Sequence, residues 1–368
     1  MKWCNMEMMQ KERNSNYEML RILSMLLIVM SYCDEIFGLS DLYGDTLGVY
    51  KMITDWLHIG GQIGVGCFLL ISGYFMVDKK IDLKKILKIW GEVVFYTILI
   101  WIIWIIYQLI SGDFDWILAA DEISYALFPV LSGHYWFITA YIILMVLSPY
   151  INILLQALTK TQYQAFLASC IIILVLLRGG VPGIFAGMFE GRMYSVILMY
   201  IIAGYIKRFI PMKAGSFLKH ICIAFSFYIL MFMSFYMITY WGLKLKDKSI
   251  LDMKYFYREL NSPFTVLICI ELFIGFGSLK TYYNKTINTI AGATLGVYLL
   301  HSNRLLEKGL HILFPLYKEQ NPILLILYSL LAVMIIYVMG TAIDLIRKKS
   351  VEKIWLRFLN RNIKECVK

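Results

Sequence analysis

Ile86-Leu87-Lys88-Ile89-Trp90-Gly91-Glu92-Val93-Val94-Phe95-Tyr96-Thr97-Ile98-Leu99-Ile100-Trp101-Ile102-Ile103-Trp104-Ile105-Ile106-Tyr107-Gln108-Leu109-Ile110 is the stretch that decides the fold. Its two charges, Lys88 and Glu92, sit near one end, and the rest is almost wholly apolar or aromatic. A bilayer core about 30 Å thick is crossed by about 20 apolar residues of helix. No water is available there, so a crossing segment must satisfy its own backbone as a helix. This run is long enough and has no breaker after Gly91.

Similar runs recur on both sides of it. The pattern predicts spans at 18–38, 56–77, 86–110, 134–156, 163–179, 194–209, 219–241, 262–279, 287–303 and 321–346. The fold class is therefore all-α, a polytopic integral membrane bundle of about ten transmembrane helices. Residues 1–17 read as a polar N-terminal segment, 18–346 as the membrane domain and 347–368 as a basic tail. The break Arg178-Gly179-Gly180-Val181-Pro182-Gly183 suits a loop.

Composition supports this reading. The 368 residues are 60% hydrophobic and 16% charged, and the mean hydropathy is +0.68. A soluble domain carries about 25% charged residues. The net charge of +10 does not signal nucleic acid, because the cations gather at helix ends and form no basic face with interleaved aromatics. The seven cysteines (Cys4, Cys33, Cys67, Cys170, Cys222, Cys269, Cys366) are scattered and show neither zinc spacing nor a disulfide framework. No metal cluster is visible in the dispersed histidines. The first residues show no cleavable signal pattern, so helix one is expected to stay as an anchor.

Placing the N-terminus in the cytoplasm puts 24 of the 35 Lys and Arg on the inner side, Arg21 included. That excess predicts both termini in the cytoplasm. The first outer loops are acidic, with Asp34, Glu35, Asp41, Asp45 and Asp55, then Asp113, Asp115, Asp121 and Glu122. The loop 242–261 departs from the rule with five cations. In the tail, Ile354, Trp355, Leu356 and Phe358 alternate with Lys353, Arg357 and Arg361. This is the pattern of an amphipathic helix on anionic headgroups, or simply of a positive-inside anchor.

Four fragments carry a resemblance. Helix one opens Arg13-Asn14-Ser15-Asn16-Tyr17-Glu18-Met19-Leu20-Arg21. Phe68-Leu69-Leu70-Ile71-Ser72-Gly73-Tyr74-Phe75 follows in the second span, and Gly133-His134-Tyr135-Trp136-Phe137 begins the fourth. Gly296-Val297-Tyr298-Leu299-Leu300-His301 lies near the end of the ninth. In this order, on this frame, the chain resembles the membrane acyltransferase-3 family, whose members O-acylate bacterial envelope glycans.

The family's hallmark is an arginine, ten intervening residues and a histidine on helix one. Arg21 matches the arginine, and Tyr32 stands where the histidine is expected. Eleven positions of helix rise about 16 Å and complete about three turns, so Arg21 and Tyr32 share a face near opposite leaflets. An arginine inside the membrane edge needs water, an anion or a carboxylate. The resemblance implies that Arg21 meets the anionic part of acyl-coenzyme A and that position 32 faces the acceptor hydroxyl. A phenol, with a pKa near 10, is a poorer base at neutral pH than an imidazole near 6.5. A simple replacement therefore predicts weak catalysis unless Glu35, His134 or His301 supplies the base.

Tyr135 and Trp136 are candidate stacking residues for a sugar or donor ring, with an aromatic belt as the alternative. Ser72 is a candidate substrate contact, with close helix packing as the alternative. No Ser-His-Asp order surrounds it. The glycines Gly60, Gly61, Gly64 and Gly66 read as packing contacts. The intramembrane acids Glu92 and Glu271 should face a cavity or a cation such as Arg21 or Arg178.

The resemblance implies an integral-membrane O-acyltransferase in the bacterial cytoplasmic membrane. It would move an acyl group, acetyl or similar, from acyl-CoA to a sugar hydroxyl of a surface polysaccharide or glycolipid. Acyl-CoA is a co-substrate, and no resident cofactor or metal is expected. Two other readings stand beside it. One is a transporter or flippase built around Glu92 and Glu271; the other is an acyltransferase-like protein impaired by Tyr32.

Overall fold

The computed structural model describes residues 13–37, 46–112, 114–130, 132, 135–173, 192–314 and 321–366. Every regular element among them is helical, with no strand among the described residues. The order is α1 (Ser15–Phe37), α2 (Val49–His58), α3 (Gly61–Met76), α4 (Leu83–Ser111), α5 (Trp116–Leu127), α6 (Trp136–Ala157), α7 (Lys160–Ile171) and α8 (Arg192–Phe209). There follow α9 (Phe217–Leu245), α10 (Lys248–Met253), α11 (Pro263–Gly277), α12 (Lys285–Gly292), α13 (Thr294–His301), α14 (Arg304–Leu313), α15 (Pro322–Lys349) and α16 (Val351–Cys366).

The opening apolar run lies within α4, which has 29 residues and is therefore about 43 Å long. Asp82 caps it, its carboxylate accepting the Lys85 N–H at 3.1 Å. Gly112, at φ +80°, ends it in the left-handed region where glycine has no Cβ to clash.

Five stretches are long and apolar enough to cross a membrane: Val49–Met76, Leu83–Ser111, Trp136–Ala157, Phe217–Leu245 and Ile323–Lys349. Several expected spans take other forms. The 262–279 run is the 15-residue α11. The 287–303 run divides into α12 and α13 at Ala293. Only the first part of the 163–179 run is described, as α7. Two segments read as loops contain helix. Asp115 accepts the Ile117 and Leu118 N–H groups and starts α5, and Asn303 caps α14 through the Leu305 N–H. Short capped helices do not announce themselves by hydropathy.

Burial separates the inner helices from the lipid-facing ones. In Val49–Met76 72% of the apolar window is buried, against 22% for α4 and 17% for α9. Tight contacts explain the packing of α3. A Cβ on Gly61 would collide with the Ser31 hydroxyl, and one on Gly64 with the Ser24 carbonyl. A Cβ on Gly66 would lie 2.5 Å from the Cys269 sulfur. The expected glycine contacts are thus present, and they hold α1 and α11 against α3.

The described ends lie at one end of the bundle, called here the terminal end. The Arg13 carbonyl accepts Asn288 Nδ2–H at 3.4 Å, and Lys348 reaches the carbonyl of nearby Gly292. The tail expected to be amphipathic is the helix α16.

Candidate functional site

The start of α1 is tied to the α11–α12 connection. The Ser15 N–H donates to the Tyr282 carbonyl at 3.0 Å, and its hydroxyl donates to Asn288 Oδ1 at 2.8 Å. Asn16 Nδ2–H donates to the Leu279 carbonyl at 3.1 Å. From this anchor Glu18, Arg21, Met25, Ile28 and Tyr32 recur every three or four residues, and all border one cavity of about 740 Å³. Periodicity alone puts them on one face.

Helix α3 supplies a second stripe, with Gln62, Val65, Phe68, Ser72 and Phe75 on the same cavity. Trp136, Phe137 and Tyr141 of α6 form another part of the wall, as do Thr294, Leu295 and Tyr298 of α13. The contact between Ser31 and Gly61 fixes the register. Their successors Tyr32 and Gln62 therefore stand at one level of the cavity.

The two ends differ in chemistry. At the terminal end Arg13, Arg21, Lys79 and Lys85 border the space. Glu18 stands 3.7 Å from Arg21, a loose pair. Arg21 Nε is buried without a hydrogen-bond partner among the described residues. An exposed cation is solvated by water, but a buried unused donor calls for an anion or an acceptor. Met25, Ile28, Val65 and Leu295 make an apolar middle, and Tyr32, Gln62, Trp136 and Tyr298 ring the far end.

His301 stands behind Tyr32 and does not itself border the cavity. It is 2% exposed, and its ring lies 5.0 Å from that of Tyr32, edge to face. Its Nδ1 is 2.7 Å from the Val297 carbonyl, which can only accept, so the hydrogen sits on Nδ1. In the neutral ring Nε2 then carries the lone pair, and among the described residues Nε2 has no hydrogen-bond partner. A buried nitrogen with an unused lone pair is what a proton acceptor requires.

Tyr135 is also behind the wall. Its hydroxyl donates to the Leu299 carbonyl at 2.9 Å and accepts from Asn303 Nδ2–H at 2.7 Å. The bonds tie the end of α13, which carries His301, to the start of α14. Trp136 borders the cavity, and the Arg192 guanidinium lies 4.5 Å above its ring. Ser72 lies on the wall. The Glu35 side chain and His134 lie outside the described residues.

The acids Glu92 and Glu271 do not border this cavity. Glu92 is 2.9 Å from Arg347, and Glu271 is 2.6 Å from His220, in place of the expected Arg21 or Arg178. Among the described residues no group of three His, Cys, Asp or Glu is placed to hold a metal ion.

Sequence reasoning missed Gln62, Lys79 and Lys85. Gln62 follows the same spacing as Val65, Phe68 and Ser72, a signal present in the pattern. Lys79 and Lys85 flank the Asp82 turn that joins α3 to α4, and both border the cavity, which hydropathy does not reveal.

A bundle of long apolar helices around a cavity with a cationic end is the architecture of a multi-pass membrane protein. Residues 14–356 match the family model for acyltransferase-3, an acyltransferase domain, and the chain belongs to this family. The family supports membrane acyltransferase activity. No curated protein and no solved structure matches the chain.

Proposed function

We propose that the chain is an integral-membrane O-acyltransferase that takes an acyl group, acetyl or similar, from acyl-CoA. The acceptor is a sugar hydroxyl of a surface polysaccharide or glycolipid. On this reading the terminal end faces the cytoplasm of a bacterial cell. Arg21 binds the donor's anionic part, with Arg13, Lys79 and Lys85 raising the local positive potential. The acyl-bearing end occupies the apolar middle, and the acceptor meets it at the level of Tyr32 and Gln62.

The acceptor oxygen attacks the thioester carbonyl, the carbon–sulfur bond breaks and the thiolate leaves. The acceptor proton passes to His301 Nε2 by way of the Tyr32 hydroxyl, and then to the departing sulfur. Glu35 and His134 remain candidates for the same proton. The Gln62 carboxamide is a donor suited to the carbonyl oxygen as negative charge develops there. Ser72, Trp136 and Tyr135 serve binding and positioning. No resident cofactor is required.

One observation carries the reading: Arg21 and Tyr32 border the same cavity, with the imidazole ring of His301 packed edge to face with that of Tyr32. A flippase reading needs Glu92 and Glu271 on the substrate path, and both are instead paired away from the cavity.

The test is inverted membrane vesicles given acyl-labelled CoA and a glycan acceptor. Label on the glycan, with free CoA released, is the expected result. Unmodified glycan crossing the membrane would support a transporter, and neither event would support an impaired protein.

A further inference from the structure

Helix α16 turns back against the first turns of α4. Trp355 fills the gap left by Gly91, where a Cβ would lie 2.5 Å from the indole nitrogen. The indole N–H points at the Leu87 carbonyl at 3.4 Å. Glu352 is held 2.5 Å from Lys88 and 3.0 Å from Arg347. Asp344 and Glu92 are likewise held by Arg347, at 2.8 and 2.9 Å, and Asp344 also by Lys348 at 2.7 Å. Glu352, Asp344 and Glu92 are therefore turned inward onto cations.

The outward side is different. Ile354 is 68% exposed and Phe358 55% exposed, one helical turn apart. Beside them Lys353 and Arg357, also one turn apart, are exposed. Neither forms an ion pair with a described residue. The apolar strip takes in exposed Leu83, Leu87 and Trp90 of α4, the Trp90 ring lying 6.4 Å from that of Trp355, and Lys349 and Lys85 are exposed as well. The strip runs directly into the lipid-facing surface of α4, so it sits where a leaflet's headgroups meet its acyl chains.

We propose that α16 and the first turns of α4 form a binding site for anionic phospholipid of the leaflet at the terminal end. Lys353, Arg357 and Lys349 meet the phosphate-bearing headgroup, and Ile354 and Phe358 enter the acyl-chain boundary. Charge complementarity selects the ligand, because Glu352, Asp344 and Glu92 are already paired and the one further acid at the start of α4, Asp82, caps that helix. The site adjoins the cavity mouth: Lys348 holds the Gly292 carbonyl, and Gly292 and Lys85 border the cavity. The inference stands on the membrane architecture and does not depend on acyl transfer.

The experiment is native mass spectrometry of the full chain in mild detergent, titrated with phosphatidylglycerol or phosphatidylcholine of the same acyl chains. The wild type is expected to retain phosphatidylglycerol preferentially. Lys353→Gln and Arg357→Gln should each lower that retention about fivefold and leave phosphatidylcholine unchanged. Both side chains are exposed, so the variants should melt with the wild type. Ile354→Ser with Phe358→Ser should weaken both lipids. Equal retention of the two lipids, or glutamine variants that keep the preference, would overturn the proposal. Displacement of phosphatidylglycerol by inorganic phosphate would make this a soluble-anion site and overturn it too.

Discussion

The ring of Tyr32 stands edge-on to the imidazole of His301, with centroids 5.0 Å apart and planes at 83°. The two residues come from α1 and α13, yet they place a phenol on the cavity wall and an imidazole directly behind it. The resemblance implies a histidine at position 32, and the tyrosine that stands there is backed by one. On the proposed reading the proton acceptor has moved one ring deeper, and the phenol bridges to it.

His301→Ala is expected to lower acyl transfer by about 10²–10⁴-fold, the usual worth of a positioned base. The donor KM should change little, because the cationic end of the cavity is untouched. Steady-state rates in proteoliposomes give both constants, and a melting curve checks folding. A rate close to wild type would move the base to Glu35 or His134.

Tyr32→His places an imidazole on the wall itself. Transfer is expected to rise roughly tenfold, since the base then meets the acceptor without a relay. Tyr32→Phe keeps the ring contact and removes the hydroxyl, and its rate should fall toward that of His301→Ala. A phenylalanine variant as fast as wild type would show that the hydroxyl carries no proton.

Arg21→Gln is expected to raise the donor KM by about 10–100-fold, the cost of losing a hydrogen bond to a charged group. The kcat should stay near wild type. Added salt should blunt the difference, because the neighbouring cations act through a screened field. A fall in kcat at constant KM would place Arg21 in the chemical step instead.

The face of α1 was legible because helical periodicity is local: Glu18, Arg21, Met25, Ile28 and Tyr32 need only each other to define it. The family was legible from short fragments in order, and the match over residues 14–356 agrees. The partners across the cavity were not. Gln62 reaches the level of Tyr32 through the Ser31–Gly61 contact, and Glu92 meets Arg347 from a helix far along the chain. Such pairings depend on which helices touch, and hydropathy is silent about that. It also hid α5, because Asp121 and Glu122 made its segment look like a polar loop.

Gly64→Ala tests the contact that fixes the wall. The added methyl meets the Ser24 carbonyl, a backbone atom that cannot rotate away. Overpacking of this kind costs about 1–3 kcal/mol, read as a lowered melting temperature. Gly309→Ala in α14 is the control, since its Cβ would meet nothing within 4 Å. That substitution should leave stability unchanged or raise it by about 0.4–1 kcal/mol.

Arg347 is 5% exposed and sits among Glu92, Asp344 and Glu352 at 2.8–3.0 Å. Asp344 also accepts the Tyr96 hydroxyl at 2.9 Å. Arg347→Met would leave these acids facing one another around a single missing cation, with Lys88 holding only Glu352 and Lys348 only Asp344. Breaking a buried pair from one side costs about 3–5 kcal/mol, so a large loss of thermal stability is expected. Adding Glu92→Leu removes the acid left with no other ion-pair partner, and the double variant should recover part of the loss. Because Glu352 ties α16 to this cluster, amide exchange in α16 should quicken in the single variant before the bundle unfolds. Unchanged exchange there would mean that Trp355 in the Gly91 gap holds the helix without the charges.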